Sequence, residues 1–323
     1  MKRVAIILLN YNGMERKFNG KGILQESLKR LLQTNYNNLK IIVVDNGSTD
    51  DSLRVIKSAK CDLLRLENNV YNFSYVNNKG IFYAIHRYNP DYVVLFSNDV
   101  FAENKNWLRE LVVTAESHKH CGILTCKLRY PTGRIQQAGG IIGIAPRSRG
   151  RGEIDKGQYN KIEEVEASTA AMCLLKKELI NKIGLFDENL KFGFEDTDYC
   201  VRARKSGFSV MYDGRVSLTH LEGYTHVNSP KKSARDRFFE NNQKNWVYFI
   251  FKNFGFVKRF EALLIILFSA IFSIESSTRQ RKLSSLRLKD RILWRVSVTF
   301  RAIFEGYNIY RKKGSEMTLH SLN

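Results

Sequence analysis

Four consecutive residues, Glu195-Asp196-Thr197-Asp198, hold three carboxylates between an aromatic, glycine-containing turn and the basic stretch Arg202-Ala203-Arg204. Adjacent acids repel, so a chain groups them only where something offsets the cost. A helix N-terminus, a metal ion or a reaction that needs a base can each do so. On a helix, Glu195 and Asp198 share a face at i, i+3, while Asp196 points about 100° away. One acid can then face a substrate while the others cap the helix or pair. Arg202 stands four residues after Asp198, at ion-pair spacing. Pure helix stabilisation is the competing explanation, and for Asp198 it is the better one.

These acids need elements to position them. Short, almost wholly apolar runs alternate with helical patterns through about the first 130 residues. Strands are expected at Val4–Leu9, Lys40–Val44, Asp62–Leu66, Tyr92–Phe96 and Gly122–Leu128. Helical spacing appears at Ile23, Leu24, Leu28, Leu31 and Leu32, again at Leu53, Val55 and Ile56, and again at Trp107, Leu108, Leu111 and Val112. This alternation indicates an α/β fold with a mostly parallel sheet flanked by helices. In such sheets ligands bind at the carboxyl ends of the strands. Asn10-Tyr11-Asn12-Gly13, Asp45-Asn46-Gly47-Ser48-Thr49-Asp50-Asp51 and Ser97-Asn98-Asp99 occupy those ends. The Asp45 segment also reads as a turn and helix cap. A strand-end carboxylate such as Asp99 suits Mg²⁺ or Mn²⁺, hard cations that share their shell with substrate phosphates.

At 323 residues and 43% hydrophobic, the chain can bury one sizeable core plus an appendage, or two modest domains. Its net charge of +20 implies an acidic partner: nucleic acid, anionic lipid headgroups or nucleotide phosphates. The five cysteines form no CxxC pair, which argues against a structural zinc site or a disulfide framework. The apolar run after Met1-Lys2-Arg3 lacks a small-residue cleavage site and reads as a buried strand, not a signal peptide. Beyond about residue 230 the chain is helical, basic and aromatic. Its run Ala262–Ile274 is shorter than the roughly 20 apolar residues a bilayer span requires. A buried helix and a membrane-interface helix fit it equally well.

In order along the chain, these segments resemble glycosyltransferase family 2, the GT-A fold of inverting sugar-nucleotide transferases. The likeness runs through Val4–Gly13, Val43–Asp50, Asn68-Asn69 to Phe73, Asn77–Ile81, Phe96–Val100 and Gln137–Gly140. It continues through Ala170–Glu178, Ile183–Glu188 and Phe194–Cys200 and closes on His220. Roughly residues 3–225 are covered. The resemblance implies that Asp45 binds the nucleotide base or ribose, with Asn10 and Asn12 lining the same pocket and Asn78 against its nucleotide side. It implies that Asp99 is the divalent-metal ligand (Mg²⁺ or Mn²⁺) and His220 the late metal-ligating histidine, with His226 the nearby competitor. It makes Asp196 the general base toward the acceptor hydroxyl, with Glu195 in support.

The pattern departs from the family at Tyr71 and Val76, bulky where small residues are usual near the donor nucleotide, and at Ser97, which replaces the first acid of a full DxD. The Arg147–Arg151 loop reads either as a phosphate clamp or as a solvated loop. The implied partners are a nucleoside-diphosphate sugar and a glycan or lipid-linked acceptor in bacterial surface polysaccharide synthesis. The nearest flavour is the rhamnosyltransferase-like group. A GT-A domain is expected over 1–228, with its nucleotide-binding half about 1–130 and its acceptor half about 131–228. The basic region 229–323 suits an anionic membrane surface, placing a cytoplasmic enzyme at the inner face of the membrane. Nucleotidyl transfer is the enzymatic alternative, but it calls for a glycine-rich basic loop near the first strand. A nucleic-acid-binding protein would explain the charge, yet no zinc-finger, helix-turn-helix or RNP-like signature is present.

Overall fold

A computed structural model of the protein describes residues 1–222, 232–272 and 288–320. His226 lies outside the described residues, as do Ser273 and Ile274 at the end of the apolar run. The chain divides into two units, Met1–Glu188 with Glu195–Asn228, and Asn189–Phe194 with Ser229–Asn323.

The first unit is built on a ten-stranded sheet. Its strands are β1 (Val4–Asn10), β2 (Leu39–Asn46), β3 (Asp62–Leu66), β4 (Tyr92–Ser97) and β5 (Val100–Phe101). They continue with β6 (Cys121–Arg129), β7 (Ile135–Gln137), β8 (Ile162–Val165), β9 (Met172–Lys176) and β10 (Ser209–His220). The order across the sheet is β8-β10-β6-β9-β4-β1-β2-β3, with β5 paired to β10 and β7 to β6. Strands β4, β1, β2 and β3 are parallel. Strand β1 is buried on both faces because it is apolar from Val4 to Leu9, and that composition belongs in the middle of a covered parallel sheet.

The sheet as a whole is mixed. Strand β9 runs antiparallel between β4 and β6, with Leu174 opposite both Val94 and Leu124. Strand β10 is parallel to β6, then turns its end antiparallel to β5, so that His220 lies opposite Val100. This register carries the C-terminal end of β10 to the residue after Asp99.

Helices α1 (Ile23–Leu32), α2 (Ser52–Ser58) and α4 (Trp107–Ser117) follow the expected apolar spacing. The buried side chains form two clusters. Ile6, Leu8, Leu28, Trp107 and Leu111 belong to one, and Ala5, Ile7, Val44, Ile81 and Tyr199 to the other. Alternate residues of β1 thus feed opposite faces.

Helix α3 (Phe73–Tyr88) has no clean apolar stripe and was not apparent from spacing. Its start is fixed by Asn72, whose side-chain oxygen accepts from the Tyr75 amide, and its end by Asn89 in the left-handed conformation. A Cβ at Gly80 would lie 2.6 Å from Ile7 Cγ2 and 2.9 Å from Val44 Cγ2. The helix therefore sits closer to β1 and β2 than any larger residue permits. Two further helices, α5 (Lys177–Ile183) and α6 (Glu195–Lys205), complete the unit.

In the second unit, α7 (Lys232–Asn253), α8 (Phe256–Phe272) and α9 (Leu288–His320) pack on one another. Among the described residues, no helix is long and apolar enough to cross a membrane. The Gly80 contact yields a stability prediction. Gly80→Ala should cost about 1–3 kcal/mol through overpacking, seen as a lower urea midpoint with an unchanged slope.

Candidate active site

The parallel register sets Asn10 directly opposite Asp45, and Leu9 opposite Ser97. Three strand ends therefore meet at one edge. Asn10 Nδ2 donates to Asp45 Oδ2 at 2.9 Å, and Asn98 Nδ2 donates to Asn10 Oδ1 at 2.7 Å. Asp45 also accepts from the Ser48 amide at 2.9 Å and from the Ser48 hydroxyl at 2.6 Å. Asn12 joins through its amide to Ser48 Oγ at 2.9 Å, and its Oδ1 accepts from the Thr49 amide at 2.9 Å. Asp45 is 0% exposed, so its carboxylate works inward and fixes the loop after β2. Asp50 does the same for the loop after β1, accepting from the Met14 and Glu15 amides at 2.7 and 2.8 Å.

Asn78 stands apart from this cluster. Its Oδ1 accepts from the Phe186 amide at 2.9 Å, while its Nδ2 donates to Phe186 O at 3.0 Å and to Glu188 Oε1 at 2.9 Å. It ties α3 to the Ile183–Glu188 segment. Val76 likewise packs in the core, whereas Tyr71 is exposed.

Asp99 and His220 meet because β10 ends on β5. The Leu221 amide donates to Asp99 O at 3.0 Å, and His220 Nε2 lies 3.3 Å from Asp99 Oδ1. On its other side, His220 Nδ1 is 2.7 Å from Gln136 Oε1. That oxygen accepts a hydrogen bond from Nδ1, and Nε2 faces the Asp99 carboxylate. Burial opposes ionisation of Asp99, yet the charge and hydrogen bond of His220 and the nearby Arg16 guanidinium hold its carboxyl below the usual range. Among the described residues, no cluster of three or more His, Cys, Asp or Glu side chains is arranged to hold a metal.

The acid cluster opens α6, with Arg202, Arg204 and Lys205 in its last turn, both placements favourable to the helix dipole. Its entry is tight. Gly193 has φ +90° and Phe194 φ +71°, a conformation unusual for a residue with a side chain. In the second unit, Asn245 Nδ2 donates to both Phe192 O and Gly193 O at 3.0 Å.

The three acids then part ways. Asp198 is 0% exposed and accepts from Arg202 Nε at 3.0 Å. The same guanidinium donates to Ile183 O and Leu185 O at 2.8 Å, so this pair anchors the preceding loop. Glu195 is buried. Asp196 is only partly covered. It accepts from the Thr197 amide at 2.6 Å and the Ala170 amide at 3.3 Å. Desolvation raises its pKa above the ordinary aspartate value, partly offset by those amide bonds.

Asp196 and His220 line one cleft of about 170 Å³, together with Gln136, Thr169, Arg147 and Arg151. Spacing alone gave no sign of Gln136. The Arg147–Arg151 segment is ordered by specific contacts. Arg147 pairs with Ile141 in a two-strand hairpin, Arg149 bonds Glu163 at 2.6 Å, and Arg151 pairs with Glu222. The structure thus brings Asn10, Asn12 and Asp45 together, joins Asp99 to His220, and sets Asp196 on the cleft that His220 also lines.

This geometry, with acids at the carboxyl edge of a mixed α/β sheet and a late histidine returned to one of them, is that of the GT-A class. The fold resembles the mannosyltransferase PcManGT of Pyrobaculum calidifontis, solved with GDP-Man and Mn2+, at 14% identity and TM-score 0.53, over 96% of this chain and 87% of that one. It also resembles S. aureus TarS 1-349 in complex with UDP, at 17% identity and TM-score 0.54, over 93% and 81%. Residues 4–240 match the model of the glycosyltransferase-like family 2, and the chain belongs to that family.

Among curated proteins, it is 29% identical to the uncharacterized protein y4gI of Sinorhizobium fredii over 67% of this chain and 25% of that one. It is 25% identical to the O-antigen biosynthesis protein RfbC of Myxococcus xanthus over 59% and 16%. It is 23% identical to the O-antigen chain rhamnosyltransferase WbaN of Salmonella anatum over 58% of each. The chain therefore spans a quarter or less of the first two relatives.

The different burial of the two aspartates predicts different mutational costs. Asp198→Asn, which weakens a buried charge pair, should lose about 2–3 kcal/mol in urea denaturation. Asp196→Asn keeps one acceptor oxygen, loses the longer bond to the Ala170 amide and removes a desolvated charge, so it should stay within about 1 kcal/mol of the parent.

Proposed function

We propose that the protein is an inverting hexosyltransferase that moves a sugar from a nucleoside-diphosphate sugar to a hydroxyl of a glycan or lipid-linked acceptor in surface polysaccharide synthesis. The observation that carries this reading is the shared cleft. Its lining includes a carboxylate with raised proton affinity and the histidine backed by Asp99. The donors and metal bound by the solved relatives, and the O-antigen names of the curated ones, support the same reading.

The residues fit a divalent cation. With Nδ1 engaged by Gln136, Nε2 of His220 stands 3.3 Å from Oδ1 of Asp99, and an imidazole nitrogen beside a carboxylate oxygen is a donor set that suits a divalent cation. Asp99 and His220 would hold Mg²⁺ or Mn²⁺, whose charge neutralises the leaving diphosphate. We assign the nucleoside to the loops that Asn10, Asn12 and Asp45 hold, and Asn78 to the support of the Phe186–Glu188 segment. Asp196 takes the proton of the acceptor hydroxyl as that oxygen attacks the anomeric carbon, and one direct displacement inverts the configuration. Its raised pKa makes it a stronger base than an ordinary aspartate. Glu195 supports it from the same turn of α6. The transfer is assigned to residues 1–228, with the nucleotide half over about 1–130 and the acceptor half over about 131–228.

Asp196→Asn should lower kcat by at least about 10²-fold while leaving donor affinity unchanged in calorimetric titration. Near-parental turnover in that variant refutes the assignment. Protonation of Asp196 removes the base, so kcat/KM should fall toward acid, with its midpoint above the roughly 3.9 of an unperturbed aspartate. Asp99→Ala should abolish the Mn²⁺-dependent part of the thermal shift given by a panel of UDP-, dTDP- and GDP-sugars. An unchanged metal-dependent shift would count against Asp99 and His220 as the metal ligands.

A further inference from the structure

Among its described residues, the second unit presents a solvent-exposed apolar face. Along α8, Ala262 and Ile266 are buried, whereas Phe256, Val257, Phe260, Leu264, Ile265 and Phe268 are exposed, Phe256 by 82%. Those positions recur at four-residue steps and form one stripe, broken at one edge by Glu261. Helix α9, which packs on α8, adds exposed Phe300, Phe304 and Tyr307. An ordinary surface helix shows the reverse pattern, with its polar side outward. Apolar groups gathered like this on a soluble face mark a docking surface.

The surroundings of the stripe select its occupant. Lys258, Arg301 and Arg311 are exposed on the same two helices. Residues 229–323 carry 19 lysines and arginines against 7 aspartates and glutamates. A second copy of this chain would bring that positive excess against itself. An anionic lipid surface complements it. Aromatic and branched side chains flanked by cations are the composition of helices that lie in the headgroup layer. Among the described residues, α8 is not long and apolar enough to cross a bilayer.

We propose that the outward faces of α8 and α9 lie in the plane of an anionic bilayer, with the stripe sunk to the acyl boundary and the basic residues at the phosphates. This inference stands on the second unit alone and does not rest on sugar transfer.

Sedimentation of the full chain with vesicles tests it. Binding should be strong to phosphatidylcholine mixed with phosphatidylglycerol and weak to phosphatidylcholine alone. It should fall when salt rises from about 0.1 M to about 1 M, as the screening length drops from roughly 10 Å to 3 Å. The combined variant Phe256→Ser, Phe260→Ser, Leu264→Ser should lose about tenfold or more in vesicle affinity, with nucleotide binding and the circular dichroism spectrum retained. A milder pair, Lys258→Glu with Arg311→Glu, should weaken binding to charged vesicles alone. Equal binding to neutral vesicles overturns the proposal, as does undiminished binding of both variants. So does a parental dimer in light scattering that the triple variant dissociates, with no vesicle binding by either. Loss of nucleotide binding in the parent with intact vesicle binding would sink the transferase reading and leave this one standing.

Discussion

The final pairing of β10 with β5 decides the chemistry at the sheet edge. His220 stands opposite Val100, and the Leu221 amide closes onto the carbonyl of Asp99. Two residues far apart in sequence are thereby held by backbone bonds, which do not rotate as side chains do. A slip of one residue in this short ladder would turn His220 to the other face of the strand. The Gln136 contact then orients the ring, so backbone register sets the distance and a side chain sets the direction.

The loops beside this pair use a different economy. Asn10, Asn12, Asp45, Ser48 and Asp50 spend their side chains on backbone amides and on each other. The buried ones among these bonds, at Asn10, Asp45 and Ser48, satisfy groups that would otherwise be unpaired at a cost of about 1–3 kcal/mol. The polar residues that signal a ligand site in sequence are therefore also the ones that shape the loops. Helix α6 divides its acids by burial. Asp198 is locked to Arg202 and holds the loop at Ile183–Leu185, while Asp196 remains at the cleft.

How far this was legible in the chain follows from where the physics is local. Apolar runs announced β1 to β4 and β6, and the spacing of Ile23 to Leu32 matched α1 from end to end. Helix α3 was hidden, because Asn77, Asn78 and Gly80 are buried where an apolar stripe would be read. The antiparallel insertion of β9 was equally silent, since strand direction is a property of the whole sheet and no residue in Met172–Lys176 encodes it. The family order pointed to Asp99 and His220 together. Their meeting depends on a two-residue strand, Val100–Phe101, too short to leave a pattern. Gln136 carried no signal, because a lone glutamine acquires meaning only from its neighbour in space.

The hairpin of Gly140–Ile141 with Arg147–Ser148 forms a two-stranded sheet separate from the ten-stranded one, yet four of its residues border the cleft. It contributes nothing to the main hydrophobic clusters beyond the partly buried Ile142 between its strands. Its tip can therefore be exchanged without disturbing the machinery beneath. The hairpin thus borders the cleft while leaving the two hydrophobic clusters almost untouched, so substitutions at its tip can reshape the cleft's rim at little cost to the core.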